Sequence, residues 1–429
     1  MKKNTPVVIV SSLTSPRLEY VCEWVFNERI GVDFSIVTPE EAKSFQDIFI
    51  SYGVPETNAR IFMDPSGWIE RSYQTNERPH LKEFMGIPIP VWGKEHADIV
   101  PDLFGAIFWS LSRAEEYTEH KDKHGRYPAS ASWAHQNEML TEPWVDRVVA
   151  FMASEINHET VENDRVRPSF DIDDAFAFKG RGWKVMTGMA GDVLYRRWDF
   201  FKARLHWLTG LKKDPFDAYE IIERQMHNSR IKPHFFFLVA DESHQLDNNI
   251  SPDEDALQEL IKRISRRHLV GVHPSYRNME EPELLHKEKS TLESIASHDV
   301  GRSRFHFLRY RMPNSYRGLI EAGIEEDHSM IYPDAIGFRA GTAESFFWYD
   351  LANEEKTSLR IYPYSVMDRT LRDYMGFSPS EAVEEVRKLH EKCRQLRVPF
   401  SWIWHNSTLS EVEGWGEYYK VWHFVSRLD

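Results

Sequence analysis

The side chains of this sequence that could do chemistry together fall in its second half. S-F-D-I-D-D carries Asp171, Asp173 and Asp174, G-V-H-P-S-Y-R-N carries His273, and R-F-H-F-L carries His306. G-F-R-A-G-T carries Arg339, and W-I-W-H-N-S carries His405. Acids two apart on a strand end point the same way, so one can ligate a metal while the other stays free as a base. Carboxylate and neutral imidazole are the donors expected of a zinc, nickel or cobalt site with an open position. Such an ion polarises an acyl oxygen and acidifies its water. The free carboxylate takes the proton of that water, and a separate histidine donates one to a leaving amine. The set therefore describes metal-assisted hydrolysis of an amide.

These residues need elements that deliver them to one place. From Arg167 onward the pattern alternates strand and helix. Strands are expected at Arg167–Ile172, His234–Val239, His268–His273, Arg304–Leu308, Ser329–Tyr332 or Ile336–Phe338, Leu359–Tyr362 and Phe400–Trp404. Helices are expected at Asp217–Met226, Leu284–Ser297, Asn314–Ala322 and Tyr418–Leu428. Ser251-Pro-Asp-Glu254 and Ser378-Pro-Ser-Glu381 both match a capping box, each opening a helix. About seven β/α units argue for a mainly parallel sheet, open or closed into a barrel. In such folds reactive groups sit at the C-terminal ends of strands, where these residues lie.

The first half is mixed α/β. Pro6–Val10 and Phe34–Val37 read as strands, and Arg17–Phe26, Leu103–Tyr117 and Trp144–Met152 as helices. His124–Trp133 is turn-rich and irregular, and no residue of this half is expected to carry chemistry. A polar stretch ending in proline, Asn157–Arg167, reads as the boundary between the halves.

The second-half motifs resemble those of the polysaccharide deacetylases of carbohydrate esterase family 4, the NodB-homology fold. The resemblance covers roughly residues 167–429, and the first 160 residues resemble an uncharacterised domain found in a bacterial subgroup. It implies a distorted seven-stranded (β/α) barrel at 167–429, with an additional N-terminal α/β domain of unknown role at 1–160. S-F-D-I-D-D fits the D-x-D form of the family's first motif, which makes Asp171 the base and Asp173 a metal ligand. His273 matches the first histidine of H-[S/T]-x-x-H, but Arg277 stands where the second belongs. His306, on the next expected strand, is the candidate to replace it. G-F-R-A-G-T makes Arg339 the partner of the base, V-M-D-R-T makes Asp368 the acid that orients the catalytic histidine, and His405 becomes the general acid. Asp174 reads instead as a helix-start acid. The implied cofactor is a divalent metal, zinc first and nickel or cobalt as alternatives. The implied substrate is an acetylated carbohydrate or amino sugar, with N-acetyl favoured over O-acetyl.

Composition narrows the alternatives. The 429 residues carry a net charge of −14 and no lysine or arginine block, which argues against nucleic acid and against a protein held by acidic lipids. No apolar run approaches the roughly 18 residues of a membrane span. The apolar stretch after Met1 is too short for a signal-peptide core and reads as a strand, which points to the cytoplasm and to a sugar precursor or lipid-linked intermediate as substrate. Cys22 and Cys393 read as reduced thiols. Fourteen tryptophans suit either a core or sugar stacking, with Trp402, Trp404, Tyr276 and Trp348 nearest the motifs. Alternation sets Trp402 and Trp404 on the strand face opposite Ile403 and His405, so at least one tryptophan can pack under the helices. Two other readings compete. Arg277 fits a degenerate protein that binds carbohydrate or a partner without catalysis. D-x-D also fits metal-dependent glycosyl or phosphoryl transfer, but neither transfer chemistry accounts for His273, Arg339 and His405.

Overall fold

The computed structural model describes residues 6–55, 58–71, 77–93, 100–163, 165–240 and 246–428. The N-terminal region is built on a parallel sheet of β1 (Val7–Ser11), β2 (Phe34–Val37), β3 (Ile50–Tyr52) and β4 (Ile61–Met63), in the order β2-β1-β3-β4. All of β1 is buried, as a strand covered on both faces must be. A hairpin of β5 (His80–Phe84) and β6 (Ile87–Val91) follows, turned through Met85 and Gly86, both at positive φ. The helix Leu103–Leu111 is buried along its whole length, not on one face as its periodicity suggests. It lies between this region and the second sheet, with Phe108 against Tyr20 on one side and Tyr349 on the other. It ends before Ala114, at the left-handed Arg113.

The second sheet comprises β7 (Val166–Ile172), β8 (His234–Phe237), β9 (Leu269–Val272), β10 (Arg302–Ser303), β11 (Glu326–Met330), β12 (Phe346–Asp350), β13 (Glu355–Pro363), β14 (Val366–Met367) and β15 (Phe400–His405). Their order is β12-β13-β11-β10-β9-β8-β7-β15-β14, parallel except for β12 on β13. The sheet thus has nine strands where seven were expected. The difference lies in β12, an antiparallel addition, and in the splitting of one stretch into β13 and β14. Consecutive residues of that stretch bond to opposite ends of the sheet. Tyr364 N donates to Met330 O (3.0 Å) and Ser365 N donates to Ser401 O (3.0 Å), so the sheet curls round on itself.

Alternation sorts the strand residues. On β7, Phe170 packs outward on Trp402 and Trp422, while Asp171 turns to the concave side. Ser378 caps the helix Pro379–Leu396 through the expected reciprocal bonds with Glu381. The Ser251 pattern does not do so. Ser251–Glu254 forms a turn, and the helix begins only at Asp255, capped by no side chain.

The stretch around Asn157–Arg167 links two sheets that share one hydrophobic core. Trp24 Nε1 donates to Ser345 O (3.0 Å), Tyr20 OH to Phe347 O (2.7 Å) and Phe338 N to Leu140 O (2.7 Å). Gly337 and Gly341, at φ 124 and 66, allow this approach. A Cβ at Gly337 would collide with the Leu140 carbonyl, and one at Gly341 would lie 2.5 Å from Trp144 Nε1.

Candidate metal centre

Strand β7 carries Asp171 in register with His405 of β15, so neighbouring parallel strands offer both side chains to one face. Asp173 follows just beyond the strand end. His273 follows β9, its backbone N bonded to Phe237 O at 3.0 Å. His306 does not come from a strand. β10 stops at Ser303, and His306 stands on a short 3-10 turn whose next residues, Phe307 and Leu308, are both left-handed (φ 58 and 53). Left-handed non-glycine residues are costly and persist where surrounding contacts fix them. Here the Phe307 carbonyl accepts from Arg126 Nη1 at 2.8 Å, a contact from the N-terminal region.

Asp173, His273 and His306 present one ligand atom each within 4.8 Å of one another. His273 Nδ1 is 2.5 Å from the Arg304 carbonyl, which can only accept, so Nδ1 donates and Nε2 is left facing Asp173 Oδ1 at 3.1 Å. His306 Nδ1 lies 2.9 Å from Asp247 Oδ1, and its Nε2 lies 3.7 Å from Asp173 Oδ2. Asp173 Oδ1 is buried and receives no hydrogen bond from the described residues, because the His273 Nε2 that faces it carries no proton in the neutral ring whose Nδ1 donates. Tetrahedral zinc with bonds near 2.0 Å separates its ligands by about 3.3 Å, so this donor set fits such an ion. Anchoring of the second imidazole nitrogen by a carbonyl or carboxylate is the arrangement that orients metal-binding histidines.

Opposite Asp173 stands His405, with Nε2 3.5 Å from Asp173 Oδ2. Asp368 is fully buried beneath it. Asp368 Oδ1 lies 2.7 Å from His405 Nδ1, and Oδ2 accepts from the backbone N of His405 (2.9 Å) and from Thr408 Oγ1 (2.5 Å). Burial opposes charge on His405, but Asp368 and Asp173 raise its pKa. Burial likewise opposes charge on His306, yet Asp173 and Asp247 raise it to about 9. Burial would raise the Asp173 carboxyl, but the imidazoles of His405 and His306 hold it well below the usual carboxylate range. The cluster of carboxylates thus draws positive charge to the point the imidazoles surround.

Arg339 is not part of this cluster. Its guanidinium bonds both oxygens of the buried Glu116 (2.8 and 2.5 Å) and the Ile331 carbonyl (2.9 Å). The expected pairing with Asp171 is made instead by Arg304, whose Nη1 lies 2.6 Å from Asp171 Oδ1. Arg304 is itself fully buried, sandwiched between Phe236 and Tyr364 at 4.4 and 4.3 Å from the ring centres. G-F-R-A-G-T is therefore where the two regions meet, its glycines admitting the backbone at Leu140 and the ring of Trp144 and its arginine bonding across to Glu116. Asp174 opens no helix; Arg181 Nη2 bonds it at 2.5 Å, and burial outweighs that arginine and pushes its pKa up to about 7. Arg277 bonds Glu281, on its own turn.

The site opens into a cleft of about 590 Å³, lined also by His124, Arg126, Phe307, Arg369 and Tyr374. His124 and Arg126 come from the irregular segment in which no chemistry was expected. Neither tryptophan of β15 reaches the cleft; Trp402 and Trp404 are buried against Trp422, and Trp348 is buried against Tyr316. Tyr276 packs beside His124 and Phe307.

Residues 7–161 match a family model described as a family of unknown function, DUF7033. No curated protein matches the chain. Among solved structures, a presumed polysaccharide deacetylase from Mycobacterium smegmatis is 15% identical, with a TM-score of 0.39 over 62% of this chain and 84% of its own. A 4-alpha-glucanotransferase from Thermococcus litoralis is 17% identical, with a TM-score of 0.35 over 61% of this chain and 37% of its own. At such TM-scores the likenesses carry no weight for the function, which rests on the residues of the site.

Proposed function

We propose that this chain is a metal-dependent hydrolase that removes an acetyl group, N-acetyl in our reading, from a carbohydrate or amino-sugar substrate. The observation that carries the reading is the buried, unbonded Asp173 Oδ1 beside two imidazole Nε2 atoms whose Nδ1 atoms are both engaged. Asp173, His273 and His306 would hold the metal, with zinc the best fit to two imidazoles and a carboxylate. When bound, the metal would supply Lewis-acid polarisation of the acyl oxygen and a more acidic water.

The remaining steps belong to the chain itself. Asp171, paired with Arg304, accepts a proton from water as the water oxygen bonds to the acyl carbon. His405 enters protonated, Asp368 holding its Nδ1–H, and its Nε2–H passes to the nitrogen as the carbon–nitrogen bond breaks. Acetate and a free amine result. The test is acetate release from a panel of N-acetylated sugars by wild type and Asp171→Asn. Release by wild type, reduced at least about a hundredfold in the variant, supports the reading. Release by the variant at the wild-type rate would refute the assignment of the base.

A further inference from the structure

Between β7 and β8 the chain makes an excursion that the sheet does not require. Helices Lys184–Leu194 and Trp198–Leu208 pair as a hairpin. Asp192, buried between them, accepts from Arg204 Nε at 2.8 Å and forms an ion pair with Arg197 Nη2 at 2.8 Å. The inner face of the hairpin rests on a small cluster separate from the main core, with Phe200, Ala203 and Trp207 packed on Phe178, Phe216 and Val412. Among the described residues the outer face has no such cover. Trp198, Leu205 and Leu208 recur there at helical spacing and are exposed. Leu194 and Tyr195 at the tip are 74% and 72% exposed. Of the fifteen large apolar residues exposed in the described structure, nine lie between Trp183 and Leu211.

Charge is as unevenly placed as apolar surface. Lys179 to Lys213 holds nine lysines and arginines, two aspartates and no glutamate, a net +7 in a chain of −14. The whole-chain charge that argued against acidic lipids conceals this segment. Apolar side chains with tryptophan and tyrosine at the tip, flanked by basic residues, are what an anionic bilayer surface binds. Arg181, Lys212 and Lys213 pair with Asp174, Glu411 and Glu220, but the segment stays net positive, and self-association through the same face would bring two such segments together.

We propose that this hairpin seats the protein on an anionic lipid surface. Leu194, Tyr195 and Trp198 enter the headgroup layer, and Arg196 and Lys202 face its phosphates. The hairpin also supplies Lys184, Arg197 and Arg204 to a pocket of about 380 Å³ that shares Asp173 and Arg369 with the catalytic cleft. Seating would therefore bring the cleft to the membrane surface. The proposal stands on the hairpin alone and does not require turnover at the metal centre.

The test uses the full chain with vesicles of phosphatidylcholine alone and of phosphatidylcholine with equal phosphatidylglycerol. Sedimentation should show binding to the mixed vesicles at least about tenfold tighter, weakened by salt. Leu194→Glu with Trp198→Glu, and separately Arg196→Glu with Lys202→Glu, should abolish it while circular dichroism stays unchanged. Brominated lipid should quench part of the wild-type tryptophan fluorescence, a readout that needs no variant. Absence of both sedimentation and quenching would overturn the proposal, as would variants that bind like wild type. A dimer that vesicles leave intact and Leu194→Glu with Trp198→Glu splits would also overturn it.

Discussion

His306 turns its Nε2 toward Asp173 because its Nδ1 lies 2.9 Å from Oδ1 of Asp247, an aspartate from the loop after β8. Asp247 is buried and also accepts from the backbone N of Tyr276 at 2.8 Å, so it ties the turn after His273 to the ring of His306. Asp247→Ala should weaken zinc binding by about 10–100-fold, the usual cost of losing such a partner. Asp247→Asn, which keeps an acceptor oxygen, should recover part of it. Competition with a chromophoric chelator measures both, and unchanged affinity in Asp247→Ala would mean that this aspartate does not support the ligand histidine.

Arg304 and Arg339 divide the roles that one arginine was expected to fill. Each is half of a buried ion pair, so Arg304→Met and Arg339→Met should each cost about 3–5 kcal/mol of stability. They should differ in activity. Arg304→Met leaves Asp171 without its partner, and turnover per folded molecule should fall at least about a hundredfold. Arg339→Met touches Glu116 on the far side, and its folded fraction should turn over at the wild-type rate. Initial rates scaled to the folded fraction from denaturation curves separate the two.

Gly337 holds a backbone conformation that an L residue rarely adopts, against the Leu140 carbonyl. Gly337→Ala should destabilise the protein by more than about 2 kcal/mol, strain and collision together. Gly376, also at positive φ but with nothing within 4 Å of a Cβ, gives the comparison. Gly376→Ala should cost less, only the backbone part. Urea midpoints of the two variants are the measurement.

Stability should also carry a pH signature from Asp327 inside the curled sheet. Burial pushes its carboxyl up to about 6, against bonds from Ser329 N (2.9 Å) and Ser329 Oγ (2.8 Å). A folded pKa above the unfolded one means the native state holds the proton more tightly, so this group's contribution is full at low pH and lost as pH rises through about 6. Asp327→Asn cannot lose a proton. The melting temperature of the variant minus that of wild type, both with chelator, should therefore rise between pH 5 and pH 7 (about one unit either side of that value). A flat difference would contradict the shift.

The sequence made much of the site legible because Asp171 and His405 lie at the ends of their strands and Asp173 and His273 just beyond theirs, and strand ends share a rim. The same rule put His306 on a strand, whereas the chain leaves β10 three residues earlier and reaches the rim by a left-handed turn. That turn depends on Arg126, distant in sequence, and no local pattern announces it. Arg339 was misplaced for a related reason. Its flanking glycines look like a motif of a reactive loop, but they answer to Leu140 and Trp144, contacts invisible without the fold. Asp247 lies in a loop with no periodicity to mark it. The hairpin at 184–208 escaped because its helices are apolar on both faces and its charge disappears into the average.

Asp173, His273 and His306 should together hold one metal ion. Metal content by mass spectrometry, on wild type and His306→Ala purified without chelator, tests it most directly. A stoichiometric divalent ion is expected in wild type and its loss in the variant, with circular dichroism unchanged. Wild-type protein that takes up no zinc, nickel or cobalt on incubation would contradict it.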